Sequence, residues 1–162
     1  MTCLETLPPP TLRERLLAVL ETQRLVLRAP QLGDAKAVAA LANDRRIAEN
    51  TARIPYPYRM ADAESWIGGS NADPDEETYL ITLTDGTVIG ACGFDMRDGP
   101  APEIGYWLGE AFWGRGIVTD ALIAVTRACR RKNSRTMTAS TAPISIASRT
   151  DFTASRTRAA WS

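Results

Sequence analysis

The stretch from Glu103 to Asp120, EIGYWLGEAFWGRGIVTD, places the strongest constraint on the fold. Residues 103–108 are mainly apolar and aromatic and predict a β-strand. Apolar residues spaced along one side then predict a helix over about 119–132, with Asp120 in its first turn and basic residues in its last. The stretch therefore predicts a strand, a glycine-containing loop and a helix in direct succession.

The loop between these two elements has the composition of an anion site. Gly114 and Gly116 flank Arg115 just before the predicted helix. Glycines let backbone amides approach a ligand closely, and the first four N–H groups of a helix have no partner within it. These amides and the helix dipole together favour a bound pyrophosphate. The loop therefore predicts a phosphorylated ligand.

Upstream patterning predicts three helices, a strand and a hairpin. Asp85-Gly86 predicts a type I′ turn, and the Arg45-Arg46 pair is interpreted as a solvated helix end. Gly90 and Gly93 are interpreted as packing or bulge glycines. The elements predicted before residue 103 are a helix over about 12–20, strands at 23–28, 79–83 and 88–94, a helix capped by Asp34, a connection from Asp44 to Tyr58, and a helix starting at Asp62.

Composition bounds the class of protein. The chain has 162 residues, 44% of them hydrophobic and 23% charged, which is typical of a single globular domain. Its 19 basic and 19 acidic residues cancel, so charge gives no reason to expect nucleic acid or an anionic membrane as partner. No apolar run approaches the roughly 20 residues that span a bilayer. Prolines and charged residues near the start also argue against a signal peptide.

The chain contains no histidine and few cysteines, which narrows the chemistry. Without histidine there is no Ser/His/Asp triad, no Cys/His dyad and no His-based metal site, so no metal is expected. Cys3, Cys92 and Cys129 are scattered and odd in number, unlike a disulfide framework or a zinc knuckle. We expect Cys92 and Cys129 to be buried, unreactive thiols in a protein of the reducing cytoplasm.

The order of elements resembles the GNAT N-acetyltransferases, most closely the RimJ/RimL-type ribosomal-protein-alanine branch. The likeness covers about 21–132 and implies an α/β (α+β) fold: a mixed, mainly antiparallel sheet flanked by helices, with an incomplete C-terminal part. The segments that carry it are ETQRLVLR at 21–28, Asn50 with IPYPY at 54–58, VIG at 88–90, EIGYWL at 103–108 and WGRG at 113–116.

The resemblance implies acetyl-CoA as co-substrate and an amine as acceptor. In the family, the backbone of the strand before the glycine loop pairs with the pantetheine arm, and the loop amides bind the pyrophosphate. Trp113 stands where the family has Gln or Arg, and Val118 is bulkier than usual at the last loop position. The residues expected to bind acetyl-CoA are Trp107, Leu108, Gly109, Trp113, Gly114, Arg115, Gly116, Ile117, Val118 and Thr119.

Acetyl transfer needs a base for the attacking amine, and Glu103 is the candidate. It shares a strand face with Gly105 and Trp107 and could act through a water. A backbone N–H near Leu108 could polarise the thioester carbonyl. The structural alternative for Glu103 is an exposed carboxylate or an ion pair, and Tyr106 is interpreted as a core residue. The residues expected to shape the acceptor side, with ordinary loop packing as the alternative, are Asn50, Tyr56, Tyr58 and Trp66.

The last thirty positions depart from the family pattern. Ser, Thr, Ala and Arg dominate 133–162, which contains no Leu, Val or Gly and predicts a poorly ordered tail or one strand near 135–141. Ser145 stands where the family has Asn, and the family's last helix motif is not recognisable after it. We therefore predict an N-terminal extension at 1–20, an acetyltransferase domain at 21–132 and an atypical tail at 133–162.

Three functions are compatible with this reading. The first is transfer of an acetyl group from acetyl-CoA to a protein N-terminal α-amine or a small-molecule amine. The second is a catalytically impaired remnant that binds acyl-CoA. The third, a Rossmann-type nucleotide-binding domain, is disfavoured because the glycine loop comes late and lacks a third glycine and a following acidic residue.

Overall fold

One sheet with its strands in sequential order organises the computed structural model, which describes residues 17–51, 53–97, 102–136 and 145–146. The strands are β1 (Leu20–Glu21), β2 (Leu25–Arg28), β3 (Glu76–Leu83), β4 (Val88–Asp95), β5 (Glu103–Leu108) and β6 (Ser145–Ile146). The helices are α1 (Ala35–Ala42), α2 (Arg45–Asn50), α3 (Met60–Gly69) and α4 (Ile117–Thr136), with 3₁₀ turns at Leu32–Asp34 and Glu110–Phe112.

The sheet is mainly antiparallel, with one parallel pair at its end. Neighbouring strands from β1 to β5 run antiparallel, and β6 pairs with the start of β5 in parallel. Helix α4 covers one face, while α1 and α3 cover the other. The predicted mixed sheet flanked by helices is confirmed.

Strand alternation divides the buried side chains between two cores. Ile104 and Leu108 of β5 pack in the cluster under α4, whereas Trp107 packs in the cluster formed with α1 and α3. Successive side chains of a strand point to opposite faces, so Glu103 lies on the same face as Trp107, as predicted. Glu103 and Trp107 therefore belong to one face of the sheet, and Ile104 and Leu108 belong to the other.

The glycines of β4 allow its neighbours to approach closely. A Cβ at Gly90 would lie 2.4 Å from the carbonyl oxygen of Trp107, and one at Gly93 would lie 2.3 Å from that of Glu77. A register shift between Ile81 and Thr82 of β3 places a bulge beside Gly90. The interpretation of both glycines as packing or bulge residues is confirmed.

Both described cysteines are buried thiols, as predicted. Cys92 and Cys129 form no disulfide. Burial raises the pKa of Cys92, and burial followed by the charge of Glu77 raises the pKa of Cys129 to about 11. A thiol with a raised pKa carries little thiolate near neutral pH and is a weak nucleophile.

The first residues described differ from the predicted helix over 12–20. Residues 12–16 lie outside the described residues, and Leu20 begins β1 instead. Thr22 makes the turn that follows, because its N–H donates to the Leu25 carbonyl at 2.9 Å and its hydroxyl accepts from the Arg24 and Leu25 N–H groups. The predicted strand over 23–28 therefore starts only at Leu25.

The connection predicted from Asp44 to Tyr58 contains the helix α2. The Asp44 carboxylate accepts from the Arg46 N–H at 2.8 Å and caps this short helix. Only Ile47 of α2 is buried, so the segment has almost no apolar periodicity by which to recognise a helix. The prediction of an irregular connection was wrong here because a cap, rather than an apolar stripe, starts the helix.

Three further details differ from the predictions. The hairpin after β3 has positive φ at Gly86 (90°) but not at Asp85, so it is not the predicted type I′ turn. Asp34 precedes α1 as predicted, yet its carboxylate pairs with Arg28 at 2.8 Å instead of capping that helix. Helix α3 starts before Asp62, whose carboxylate accepts from the Arg59 N–H at 2.7 Å.

The C-terminal predictions are only partly covered by the structure. Helix α4 is longer at both ends than the predicted 119–132. Of the strand predicted near 135–141, the first two residues belong to α4 and the rest lie outside the described residues. Among the described residues, none of the helices combines the length and apolarity needed to cross a membrane.

Candidate functional site

The glycine loop has the backbone conformation that its sequence suggests. Gly114 and Gly116 have φ values of 72° and 70°, a region that favours glycine. A Cβ at Gly114 would meet nothing within 4 Å, so conformation rather than crowding requires glycine there. The loop leads directly into α4, a helix of 20 residues.

The start of α4 presents unpaired backbone donors beside this loop. The Asp120 N–H donates to the Gly116 carbonyl at 3.2 Å, so the N–H groups of 117–119 precede the first hydrogen bond of the helix. Ile117 is buried and Val118 packs against the core under α4, while Thr119 is exposed. Of the predicted binding residues, Ile117 and Val118 can therefore offer only their backbone to an anion.

Arg24, which was not among the predicted site residues, lies against the glycine loop. Its Nη1 donates to the Arg115 carbonyl at 3.0 Å. Its Nε and Nη2 donate to Oδ2 of Asp120 at 2.8 Å and 2.5 Å. The contact joins residues 96 positions apart, and no local pattern in the sequence indicates it.

Trp113 connects the loop to β5 and to α2. Its indole Nε1 donates to the Leu108 carbonyl at 2.7 Å, and the Arg46 guanidinium lies 5.6 Å from the ring centroid. Arg46 also pairs with Asp44 and Glu110. The interpretation of Arg45-Arg46 as a solvated helix end is confirmed, since both are exposed at the start of α2, and Arg46 in addition joins α2 to the segment that precedes the glycine loop.

The outer edge of β5 is open over its second half within the described residues. Strand β6 pairs only with Glu103 and Ile104. The Gly109 N–H donates to the Ile89 carbonyl at 2.8 Å. In an antiparallel pair, every second residue directs its backbone groups to the partner strand, so Gly109 and Trp107 face β4. The backbone groups of Tyr106 and Leu108 therefore point away from β4, toward this open edge.

This arrangement fits an extended ligand that carries phosphates. The outward N–H and carbonyl of Tyr106 and the N–H of Leu108 can bind amide groups as a further strand would. The positive-φ glycines and the start of α4 follow this strand in the chain and suit a diphosphate. Gly109 is buried, and a Cβ there would meet Leu41 at 2.8 Å, so it serves close packing behind this edge.

Glu103 lies at the opposite end of β5 from the loop. It is exposed and pairs across the ladder with Asp95. At about 3.3 Å per strand residue, Glu103 and Leu108 lie roughly 16 Å apart. They cannot both contact one acyl group, and the outward N–H of Tyr106 is the nearer donor to Glu103. Tyr106 itself is 45% exposed, so its interpretation as a core residue was wrong.

The four residues expected on the acceptor side differ in their burial. Tyr58 and Trp66 are buried in the cluster that also contains Trp107. Burial, followed by the charge of Asp62, raises the pKa of Tyr58 to about 12, so its hydroxyl stays protonated. Tyr56 is 56% exposed, and the amide of Asn50 donates to the Arg46 carbonyl at 2.6 Å. Their roles toward an acceptor remain predictions.

Gly116→Ala is expected to weaken binding of coenzyme A by about tenfold. A φ of 70° costs an L-residue roughly 1–2 kcal/mol, and relaxing it would turn the neighbouring N–H groups away from a diphosphate. Isothermal titration calorimetry with coenzyme A measures the change. Gly33→Ala is the matched control, because a Cβ there meets nothing within 4 Å and its φ is not positive. Equal affinities for all three proteins would contradict the assignment of the loop.

Comparison with known proteins relates this geometry to a family. The model of the acetyltransferase (GNAT) domain matches residues 24–152. A curated relative, the uncharacterized N-acetyltransferase p20 of Bacillus licheniformis, is 30% identical over 108 residues. That match covers 64% of this chain and 61% of the relative, so the chain spans about three fifths of the relative's length. The predicted domain boundaries stay predictions.

Solved acetyltransferase structures share the fold. The microcin C7 self-immunity acetyltransferase MccE, solved with acetyl-CoA and AMP, is 24% identical with a TM-score of 0.60, over 68% of this chain and 65% of MccE. A RimL ribosomal L7/L12 alpha-N-protein acetyltransferase, solved with coenzyme A, is 23% identical with a TM-score of 0.62, over 71% of this chain and 69% of that one. With the family model spanning most of its length, the chain belongs to the GNAT acetyltransferase family, as its glycine loop and preceding strand predict.

Proposed function

We propose that this protein transfers an acetyl group from acetyl-CoA to a primary amine, either a protein N-terminal α-amine or a small-molecule amine. One observation carries the proposal: β5, whose outer edge is open over its second half among the described residues, is followed in the chain by the positive-φ glycines at 114 and 116 and the start of α4. Family membership supports the same reaction class. So do the N-acetyltransferase relative and the neighbours solved with acetyl-CoA or coenzyme A.

Residues of β5 and of the loop that follows it have different proposed roles. Acetyl-CoA supplies the activated acyl group. The loop and the first turn of α4 hold the diphosphate, and the outward backbone groups of Tyr106 and Leu108 hold the arm. The Tyr106 N–H, which is nearer to Glu103 along β5 than that of Leu108, is proposed to donate to the acyl oxygen. Glu103 accepts a proton from the ammonium, directly or through one water, so that the neutral amine attacks the thioester carbonyl. The C–S bond then breaks, and the departing coenzyme A thiolate takes up, through solvent, the second proton that the amine nitrogen loses.

The acceptor approaches from the face of Glu103 and Trp107. This face carries α1 and α3, and the α2–α3 segment, with Tyr56 exposed, borders it. Asn50, Tyr56, Tyr58 and Trp66 are proposed to shape this side, the buried pair by packing and the exposed pair by contact. We also propose a cytoplasmic location, because two buried free thiols suit a reducing compartment.

A catalytically impaired, acyl-CoA-binding remnant is the second candidate. The observation that favours it is that positions 107–162 contain no Tyr, whereas the family commonly protonates the leaving thiolate with a Tyr or a Ser from its last helix, and Ser145 and Ser148 are only weak substitutes. In this case the loop and β5 would bind the ligand without efficient turnover.

Two measurements on the full chain separate these functions. Calorimetry with acetyl-CoA measures binding, and thiol release in the presence of small amines and N-terminal peptides measures transfer. Binding with amine-dependent thiol release supports the acetyltransferase, whereas binding without it supports the remnant. A folded protein that binds neither acetyl-CoA nor coenzyme A would overturn both.

A further inference from the structure

We infer that Arg24 is a positioning residue for the diphosphate of acetyl-CoA, although it lies 91 positions before Arg115 of the glycine loop. This inference rests on the proposed function. Arg24 precedes β2, which β3 and β4 separate from β5 in the sheet, and its side chain contacts the loop. It contacts the loop at two points, one on the backbone and one on a carboxylate.

The first contact holds the backbone of the loop. Arg24 Nη1 donates to the Arg115 carbonyl at 3.0 Å, between the two positive-φ glycines. Arg24 Nη2 would lie 3.7 Å from a Cβ at Gly116. A peptide whose carbonyl is bound to Arg24 has its N–H directed to the opposite side, so this contact orients a donor away from Arg24.

The second contact neutralises a carboxylate at the anion site. Asp120 lies in the first turn of α4, where an acidic side chain stabilises the helix but opposes a bound diphosphate. Arg24 donates to Asp120 Oδ2 through both Nε and Nη2. The planar guanidinium can reach the carbonyl and the carboxylate together, which an ammonium group on a lysine cannot do equally well.

An ordinary surface ion pair would behave differently. The side chains of Arg24 and Asp120 are 48% and 33% exposed, and exposed pairs contribute little to stability. If the pair only supported the fold, its removal would weaken the binding of every ligand to the same extent. If Arg24 positions the diphosphate site, its loss affects ligands that carry the diphosphate and spares those that lack it.

The test compares acetyl-CoA with acetyl-pantetheine, which has the arm and acyl group but no diphosphate. Arg24→Ala is expected to raise the KM for acetyl-CoA and the Kd for coenzyme A by roughly tenfold, the effect of one charge-assisted contact. The kcat/KM for acetyl-pantetheine should stay unchanged. Arg24→Lys should fall between Arg24→Ala and the wild type, and Arg24→Ala/Asp120→Asn should recover most of the lost affinity.

Arg127→Ala, which removes an exposed arginine further along α4, is the matched control. It should change the kinetics of neither acetyl-CoA nor acetyl-pantetheine. Thermal unfolding of each variant confirms that it folds, and Asp120→Asn alone is expected to bind coenzyme A at least as tightly as the wild type. Unchanged coenzyme A binding in Arg24→Ala, equal losses for both substrates, or no recovery in the double variant would overturn the inference. A wild type that binds no coenzyme A would instead overturn the proposed function, and the inference with it.

Discussion

Glu103→Gln is expected to lower kcat for acetyl transfer by about 10²- to 10⁴-fold, the usual contribution of a positioned general base. Glutamine has nearly the same shape as glutamate but cannot take a proton from the attacking ammonium. The Kd for acetyl-CoA should change little, because Glu103 lies at the end of β5 away from the glycine loop, roughly 16 Å from Leu108. Steady-state kinetics with an amine acceptor and calorimetry with acetyl-CoA measure the two effects separately.

The pH dependence of the same variant gives an independent check. A wild type that uses a carboxylate base should lose activity at acidic pH, and Glu103→Gln should lack this loss. Glu21→Gln is the matched control, since Glu21 is an exposed strand carboxylate at the opposite edge of the sheet. Unchanged kcat in Glu103→Gln would leave Glu103 as an exposed carboxylate without a catalytic role.

Gly90→Ala is expected to destabilise the fold by about 3 kcal/mol, at the upper end of the range for overpacking. Its Cβ would lie 2.4 Å from the Trp107 carbonyl oxygen and 3.0 Å from the Leu108 Cα, both backbone atoms. Strand β5 would have to move away from β4, and β5 carries the open edge proposed to bind acetyl-CoA. Urea unfolding followed by circular dichroism measures the loss, and coenzyme A affinity should fall as well.

A second glycine provides the comparison for this prediction. Gly68→Ala in α3 should stabilise the protein by about 0.5–1 kcal/mol, because its Cβ meets nothing within 4 Å and alanine is a better helix former. A loss of stability in Gly90→Ala together with a gain in Gly68→Ala would show that the loss comes from close backbone approach and not from the added methyl group as such. A stability of Gly90→Ala equal to that of the wild type would show that β5 moves without cost.

The elements that follow from local patterning were predicted well. Apolar alternation located β3, β4 and β5, and helical periodicity located α1 and α4, within a few residues at each end. Where apolar periodicity was weak, prediction failed: α2 buries only Ile47, and β1 is a two-residue strand stabilised by the turn at Thr22. The type I′ hairpin was wrong because Gly86 alone adopts positive φ.

Some features of the candidate site also follow from local sequence, whereas others depend on packing between distant elements. Gly114, Gly116 and the start of α4 could be recognised because their conformation depends on neighbouring residues. The exposure of Tyr106, the burial of Tyr58 and Trp66, and the link from Arg46 to Trp113 depend on which elements pack together. Residue type gives no indication of these contacts, since aromatic and arginine side chains occur in cores and on surfaces alike.

The sequence by itself determined the family, the strand–loop–helix that adjoins the proposed acetyl-CoA site, and the face of β5 that Glu103 shares with Trp107. These are consequences of local periodicity and of the conformational freedom of glycine. Only the tertiary structure decided that Arg24 lies against the loop, because its partner Asp120 is 96 positions away. Contacts of that range arise from the order of strands in the sheet and the helix packed on it, and no local pattern encodes them.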